Sequence, residues 1–385
     1  MVAKGSAANS QDLSRLLCQK CGNVEATLYS RADYVCQKCF MKYVNKKAVK
    51  RMESYRARGS NKKLVKKFLL PVSLGPSSTS LLYILDNHLQ AQVDRMGRTS
   101  YELVVVHVDL QSVGLEGEPN TKQLLERLRS RFSRHTYTGL NIGKAVELAS
   151  IDWKALGLED STIDNLDTSS RDCLQHLTSN LPSSTSKSDI ISTLLHRLLV
   201  DFATRNDCES ILFGDSTTRL AEKTLTETAK GRGFSLPWQV SDGMSPFGIN
   251  ICYPMRDLLR KEIITFGSST TPPLTDIILD PPSVSQVSAS AKSTTIDDLM
   301  AQYFESVEKS YPSIVANVVR TSSKLKAPDS YDDTLACGLC GLPVAKGTDG
   351  IYGWGGDQIF KPRSTSSQPP GGRVLCYGCS RSING

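Results

Sequence analysis

Four Cys-x2-Cys pairs constrain this chain more than any other feature. Cys18 with Cys21 and Cys36 with Cys39 stand near one end; Cys337 with Cys340 and Cys376 with Cys379 stand near the other. The sequence opens without the apolar core of a signal peptide, so secretion is not expected. Paired cysteines in such a chain read as metal ligands before they read as disulfides. Each pair sets two thiolates on one side of an ion. The 14 residues between Cys21 and Cys36 suffice for a hairpin that brings the second pair across. Four thiolates close a tetrahedral zinc site with no open position, so two structural zinc ions are expected. Thiolates alone do not choose the metal, and an iron–sulfur cluster is the alternative. Between Cys340 and Cys376 lie 35 residues rich in Gly and Ser, which read as a surface loop. Neither module carries a large core, so the metal should supply much of its folding free energy.

The 385 residues leave room for a sizeable body between these ends. No apolar stretch approaches the ~20 residues of a membrane span, so no membrane partner is expected. Short apolar runs alternate with helical periodicity. Phe68–Val72 and Leu103–Val108 read as strands, and Ser210–Phe213 as a third. Ser80–Gln92, Asn120–Arg131, Ile190–Thr204 and Thr217–Ala229 read as helices. That alternation predicts a parallel α/β sheet. The expected organisation is a zinc ribbon with a basic helix over 1–60 and an α/β domain over 61–266. A linker and helical segment over 267–330 and a second ribbon over 331–385 follow. The Ser/Thr-rich stretches 158–188 and 267–295 are expected to be exposed insertions.

Charge is concentrated. The chain carries a net +7, yet Lys42–Lys67 alone holds 11 basic residues and one acid, leaving the remainder at −3. Lys42, Lys46, Lys47, Lys50 and Arg51 recur at roughly helical spacing. Arg56, Arg58, Lys62, Lys63, Lys66 and Lys67 continue the run. Such a patch suits a polyphosphate partner and makes these residues the candidate RNA contacts.

Two strand-end loops carry the remaining candidates, since ligands of open α/β sheets bind beyond the strand C-termini. Ser73, Gly75, Ser77 and Ser78 could cradle a phosphate, or merely cap a helix. Asp215 or Ser216 could cap the next helix, or Asp215 could face a ligand. Cys173, Cys208 and Cys252 are isolated and read as ordinary thiols. The five histidines lack partners at motif spacing and read as structural.

Val72–Ser78 resembles a degraded PP-loop, whose active form reads S-G-G-x-D-S. Phe213–Glu222 resembles the later segment G-H-x-x-D-D-x-A-E. With both cysteine groups, this order resembles the cytoplasmic tRNA 2-thiolation protein 2 family. The resemblance implies a PP-loop-like parallel sheet flanked by zinc ribbons. It further implies a non-catalytic cytoplasmic subunit in wobble uridine 34 thiolation of tRNAs for Lys, Glu and Gln. Its implied partners are tRNA, a catalytic paralogue that uses ATP, and a ubiquitin-like sulfur carrier. The departures are specific. Leu74 replaces the first glycine and Ser77 the aspartate; Asp215 stands where the pattern has His, and Thr218 and Arg219 replace its paired acids. A side chain at the first glycine obstructs backbone approach to phosphate, so ATP is not expected on this chain. A competent thiolase, or a zinc-ribbon RNA scaffold outside thiolation, are the alternatives.

Overall fold

The computed structural model describes residues 17–53, 65–113, 120–156, 170–279, 294–327, 334–345 and 374–385. A hairpin of β1 (Leu28–Ser30) and β2 (Asp33–Val35) precedes α1 (Gln37–Met52). Then come β3 (Lys66–Pro71), α2 (Pro76–Met96), β4 (Tyr101–Asp109), α3 (Thr121–Arg131) and β5 (Thr136–Asn141). They are followed by α4 (Ser170–Asn180), α5 (Ser184–Arg205), β6 (Ser210–Leu212), α6 (Thr217–Ala229) and α7 (Leu236–Gln239). β7 (Gly243–Met244), β8 (Asn250–Cys252) and α8 (Arg260–Ser269) lead to α9 (Ile296–Ser310) and α10 (Pro312–Ser322). A second hairpin, β9 (Thr334–Ala336) with β10 (Pro343–Ala345), and α11 (Tyr377–Asn384) end the chain.

The main sheet runs β5-β4-β3-β6-β8-β7, parallel except at β7. Leu69 faces Val104 on one side and Ile211 on the other. Alternation along the strands divides the interior into two cores. Leu69, Val104 and Val106 pack with α4 and α5. Phe68, Leu70, Leu103 and Val105 pack on the opposite face with α2 and α8. Phe40, Val44, Ala48 and Met52 of α1 join that second core. Helices α9 and α10 cover α6 through Leu220, Phe304, Val315 and Val319.

The order of strand addition reverses between the parallel neighbours β3 and β6: one half of the sheet grows from β3 through β4 to β5, the other from β6 to β8. This is the switch point where a doubly wound sheet opens a crevice. The loops Ser73–Ser78 and Gly214–Ser216 both end there.

Two segments expected to be exposed are packed. Residues 157–169 lie outside the described residues, but 170–188 form α4 and the first turn of α5. Cys173, Leu174, Leu177 and Leu181 are buried against the sheet. Their spacing makes an apolar helical face that the neighbouring serines and threonines conceal in a composition reading. Likewise 280–293 lie outside the described residues, whereas Leu274 and Ile277 are buried in the α2–α8 core. No described helix is long and apolar enough to cross a membrane.

Candidate metal centres, basic helix and strand-end crevice

Both cysteine groups share two pieces, a knuckle and a helix N-terminus. A tight knuckle holds the first pair: Gly22 N–H donates to the Cys18 carbonyl (2.7 Å), and Gly341 N–H to that of Cys337 (2.9 Å). Each of these glycines has positive φ, at 71° and 73°. In the first group the β1–β2 hairpin then intervenes, whereas in the second the knuckle is itself the turn between β9 and β10; in both, a helix N-terminus carries the second pair. Cys36 and Cys376 are the residues preceding α1 and α11, and Cys39 and Cys379 lie one turn on. In each group the four sulfurs lie within 4.8 Å of one another. With metal–sulfur bonds of about 2.3 Å, tetrahedral sulfurs stand about 3.8 Å apart. Cys21 to Cys36 and Cys340 to Cys376 each measure 3.9 Å. The donor sets therefore fit a closed structural zinc site, and both clusters are capable of coordinating one. Cys376 N–H donates to Cys337 Sγ (3.3 Å), a bond that favours thiolate at this ligand. Contacts with the other three cysteines, Cys340 foremost, hold the Cys337 thiol far below its ordinary range. At the other cluster burial opposes ionisation of Cys18. The Cys36, Cys21 and Lys20 backbone bonds outweigh it and bring that thiol down to about 6.

The modules are anchored to the body by charge. Arg31, in the turn of the first hairpin, donates to Glu262 Oε1 (3.0 Å) and to the Asp257 carbonyl (2.6 Å). Glu262 also accepts from Ser30 Oγ (3.1 Å) and Leu259 N–H (2.8 Å). At the other end α11 lies on a buried network. Arg232 pairs with both oxygens of Asp189 and with Glu227 (2.7 Å); Lys230 reaches Asp189 (3.2 Å) and Asp297 (2.7 Å); Ser382 Oγ donates to Asp189 (2.6 Å). Gly231, at φ 78°, lies so close to Tyr377 of α11 that an added Cβ would stand 2.3 Å from its ring.

The basic helix divides its residues between two tasks. Steps of four residues keep a helical row on one side, advancing by about 40° each. Phe40, Val44 and Ala48 form the buried row; Lys42, Lys46 and Lys50, about 200° around the axis, form an exposed one. Lys47 is half-buried over the Tyr43 ring. Arg51 is engaged instead: its guanidinium grips Asp257 at 2.9 and 3.1 Å, with Asp242 at 3.6 Å. Lys66 pairs with Glu209, and exposed Lys67 lies 4.0 Å from Glu102. Arg56, Arg58, Lys62 and Lys63 lie outside the described residues.

At the crevice, the chain supplies its own partners. Leu74 holds the left-handed conformation (φ 61°) with its side chain fully buried. Its carbonyl accepts Leu279 N–H (2.9 Å), so the segment after α8 lies on the loop. Ser73 Oγ accepts from Gly75 N–H (3.4 Å) and stands 3.4 Å from Ser78 Oγ. Ser77 is half-buried in the first turn of α2. Gly214 rests against that turn, where an added Cβ would meet Ser78 Cα at 2.8 Å. Ser216 caps α6 by accepting Arg219 N–H (3.1 Å), leaving Asp215 free of that task on a cavity wall. Cys173, Cys208 and Cys252 are buried.

A protein from Phaeosphaeria nodorum described as cytoplasmic tRNA 2-thiolation protein 2 is 45% identical over 378 residues, covering 97% of this chain and 96% of that one. The chain belongs to the cytoplasmic tRNA 2-thiolation protein 2 family. The Sclerotinia sclerotiorum member is 56% identical over 302 residues, covering 78% of this chain and 80% of its own length. The family model itself matches residues 295–354, the helical pair and the start of the second cysteine module. Among solved structures the U34-tRNA thiolase NcsA from Methanococcus maripaludis superposes with a TM-score of 0.57 at 15% identity. It covers 86% of this chain and 93% of that one, which establishes a PP-loop-like fold. The family member described here thus keeps that sheet between two four-cysteine modules.

Sequence reasoning missed the anchoring pairs, Arg31 with Glu262 and Arg232 with Asp189, because each joins distant segments. The left-handed Leu74 gives one test of how the loop is held. Leu74→Gly relieves about 1–2 kcal/mol of backbone strain but removes a buried side chain whose loss costs about 3–5 kcal/mol. Denaturant unfolding should therefore show a net loss of about 2 kcal/mol, and restoring the glycine should not make the loop a phosphate cradle.

Proposed function

We propose that this chain is the non-catalytic cytoplasmic subunit of tRNA wobble-uridine 34 2-thiolation, holding tRNA and a catalytic paralogue in register. The carrying observation is the strand-end crevice. Its loop carbonyl is taken by Leu279, an amide by Ser73, and its approach is narrowed by Gly214. An adenylating loop needs such amides free for pyrophosphate. The pathway comes from the names of the relatives, as does the compartment. In this reading the substrates are tRNAs for Lys, Glu and Gln, and ATP is handled by the paralogue. Sulfur arrives there from a ubiquitin-like carrier.

The chain's own residues do three things. The two cysteine clusters would hold zinc, which would cross-link each knuckle to its helix N-terminus. Arg31 and Arg51 clamp the first module to Glu262 and Asp257. That clamp aims the row Lys42, Lys46 and Lys50 outward, where it meets the tRNA phosphate backbone. Lys47, Lys66, Lys67 and the basic residues between 56 and 63 add to the field.

Phosphate contacts position an RNA without reading its sequence. Reversing Lys42, Lys46 and Lys50 to glutamate should weaken tRNA binding by about 100-fold at low salt. It should also lower the slope of log K against log salt by about 2–3, roughly one per lost contact. Filter binding across a salt series reads both. Unchanged affinity with intact metal content would assign the row to solvent and remove α1 from the RNA surface.

A further inference from the structure

We propose that the cavity between α5 and α6 is a binding site for a phosphomonoester, the terminal phosphate of a nucleotide or of an RNA end. The cavity holds about 210 Å³ and lies apart from the Ser73–Ser78 loop, closed at one end by Cys340 and Leu342 of the second cysteine module. Arg219 and Lys223, one turn apart on α6, face it. Opposite them, α5 presents the Ser192 and Thr193 hydroxyls. Cations facing hydroxyl donors form the usual complement of a phosphate.

The cations in this cavity are not equivalent. Lys230 and Arg232 form the floor and are fully paired with Asp189, Glu227 and Asp297. Arg219 pairs with Glu222 at 3.0 Å and remains half exposed at the mouth. Lys223 differs. Its ammonium stands 6.0 Å from the Phe213 ring centre and 5.9 Å from that of Tyr253. Among the described residues no carboxylate lies within ion-pair distance of it, and no acceptor takes its protons. Lys223 is half-buried on the cavity wall, so its ammonium is held at the cavity with no ion pair among the described residues, and an anion there would complete it. Burial already pushes its pKa down, with Asp215 opposing.

The wall explains why the ligand is small. His196 stacks on Phe213 at 5.8 Å and packs against Phe247 at 6.1 Å, so these ring faces are occupied by one another. His196, held neutral by burial and by Lys223 and Arg197 with its pKa near 3, adds no charge. The open chemistry is therefore the cation–hydroxyl gap, not a base-stacking slot. Gly341 of the cysteine knuckle touches Phe247 and Arg197, which ties this wall to the second metal module.

Calorimetric titration of the full chain tests the site with inorganic phosphate, uridine monophosphate, and a short oligoribonucleotide with and without a 5′-phosphate. The phosphorylated probes should bind and the unphosphorylated one should not. Lys223→Met should weaken binding at least tenfold, and Asp215→Asn should tighten it severalfold by removing a repelling carboxylate. Tighter binding of the monophosphate identifies a free nucleotide as the source, and tighter binding of the phosphorylated oligomer identifies an RNA end. The melting temperature of Lys223→Met should hold or rise, since the lysine is half-buried and joins no ion pair among the described residues. Absence of phosphate binding, unchanged affinity in Lys223→Met, or a lowered melting temperature in that variant would overturn the assignment.

Discussion

Replacing Cys337 and Cys340 together by serine should remove one equivalent of metal and unfold the second module. The expected effect is large because a structural zinc site contributes on the order of 10 kcal/mol or more to folding, against total stabilities of about 5–15 kcal/mol. The module is not a detachable bead. Cys337, Leu339, Cys340, Leu342, Val344, Cys376 and Cys379 belong to the same core as Leu174, Leu194 and Trp153. Gly338 N–H donates to the Val374 carbonyl, and Asp152 N–H to that of Gly338, stitching knuckle to body. Loss of the metal should therefore expose part of the α4–α5 core as well. Metal analysis and limited proteolysis of the double variant check this. Full metal content with native protease resistance would mean that the second cluster holds no ion.

The second large effect concerns the joint beneath α11. Asp189→Asn should destabilise the fold by about 3–5 kcal/mol, the usual result of removing one partner from a buried ion pair. Arg232 and Lys230 would lose the charge they share, and an amide NH2 would replace one of the two oxygens that accept from Arg232 and Ser382. Burial alone would raise the Asp189 pKa; the Arg232 guanidinium, helped by Lys230 and Ser382, outweighs it and holds the carboxyl below its ordinary value. A depressed folded-state pKa stabilises above the unfolded value and loses that contribution as pH falls through the folded one. The wild type should thus lose stability on acidification below about pH 4, and the asparagine variant should lose less over the same range. Urea midpoints measured from pH 6 downward read the difference; parallel curves would show that this carboxylate does not set the acid limit.

The legible parts of this molecule were those imposed locally. Metal ligation demands two cysteines per knuckle, so the spacing at Cys18–Cys21 and Cys337–Cys340 announces itself before any fold is known. Amphipathic spacing likewise marks Thr217–Ala229, which is the observed α6. What composition hid was burial inside polar sequence. Leu174, Leu177 and Leu181 face the core from a Ser/Thr-rich stretch, and β5, at the sheet edge, is built of Thr-Tyr-Thr-Gly-Leu-Asn. An edge strand needs few apolar residues, so its pattern carries little signal. The basic run also reads differently once folded. Arg51 looks identical to its lysine neighbours, but its partner Asp257 lies 206 positions away. Only tertiary contact separates the charge that binds the body from the charge that faces outward. The same holds for Lys223, an unremarked lysine in sequence whose ammonium the fold places 6.0 and 5.9 Å from the Phe213 and Tyr253 rings on the cavity wall.

The central claim is that this chain keeps a PP-loop-like sheet for assembly and tRNA positioning, with chemistry supplied by a paralogue. Reconstituted 2-thiouridine formation on tRNA tests it most directly, with ATP and a sulfur donor present, comparing this chain alone, the paralogue alone and both together. The account predicts no product from this chain alone and a rate with both that exceeds the paralogue alone. Turnover by this chain alone at the rate of the pair would contradict it.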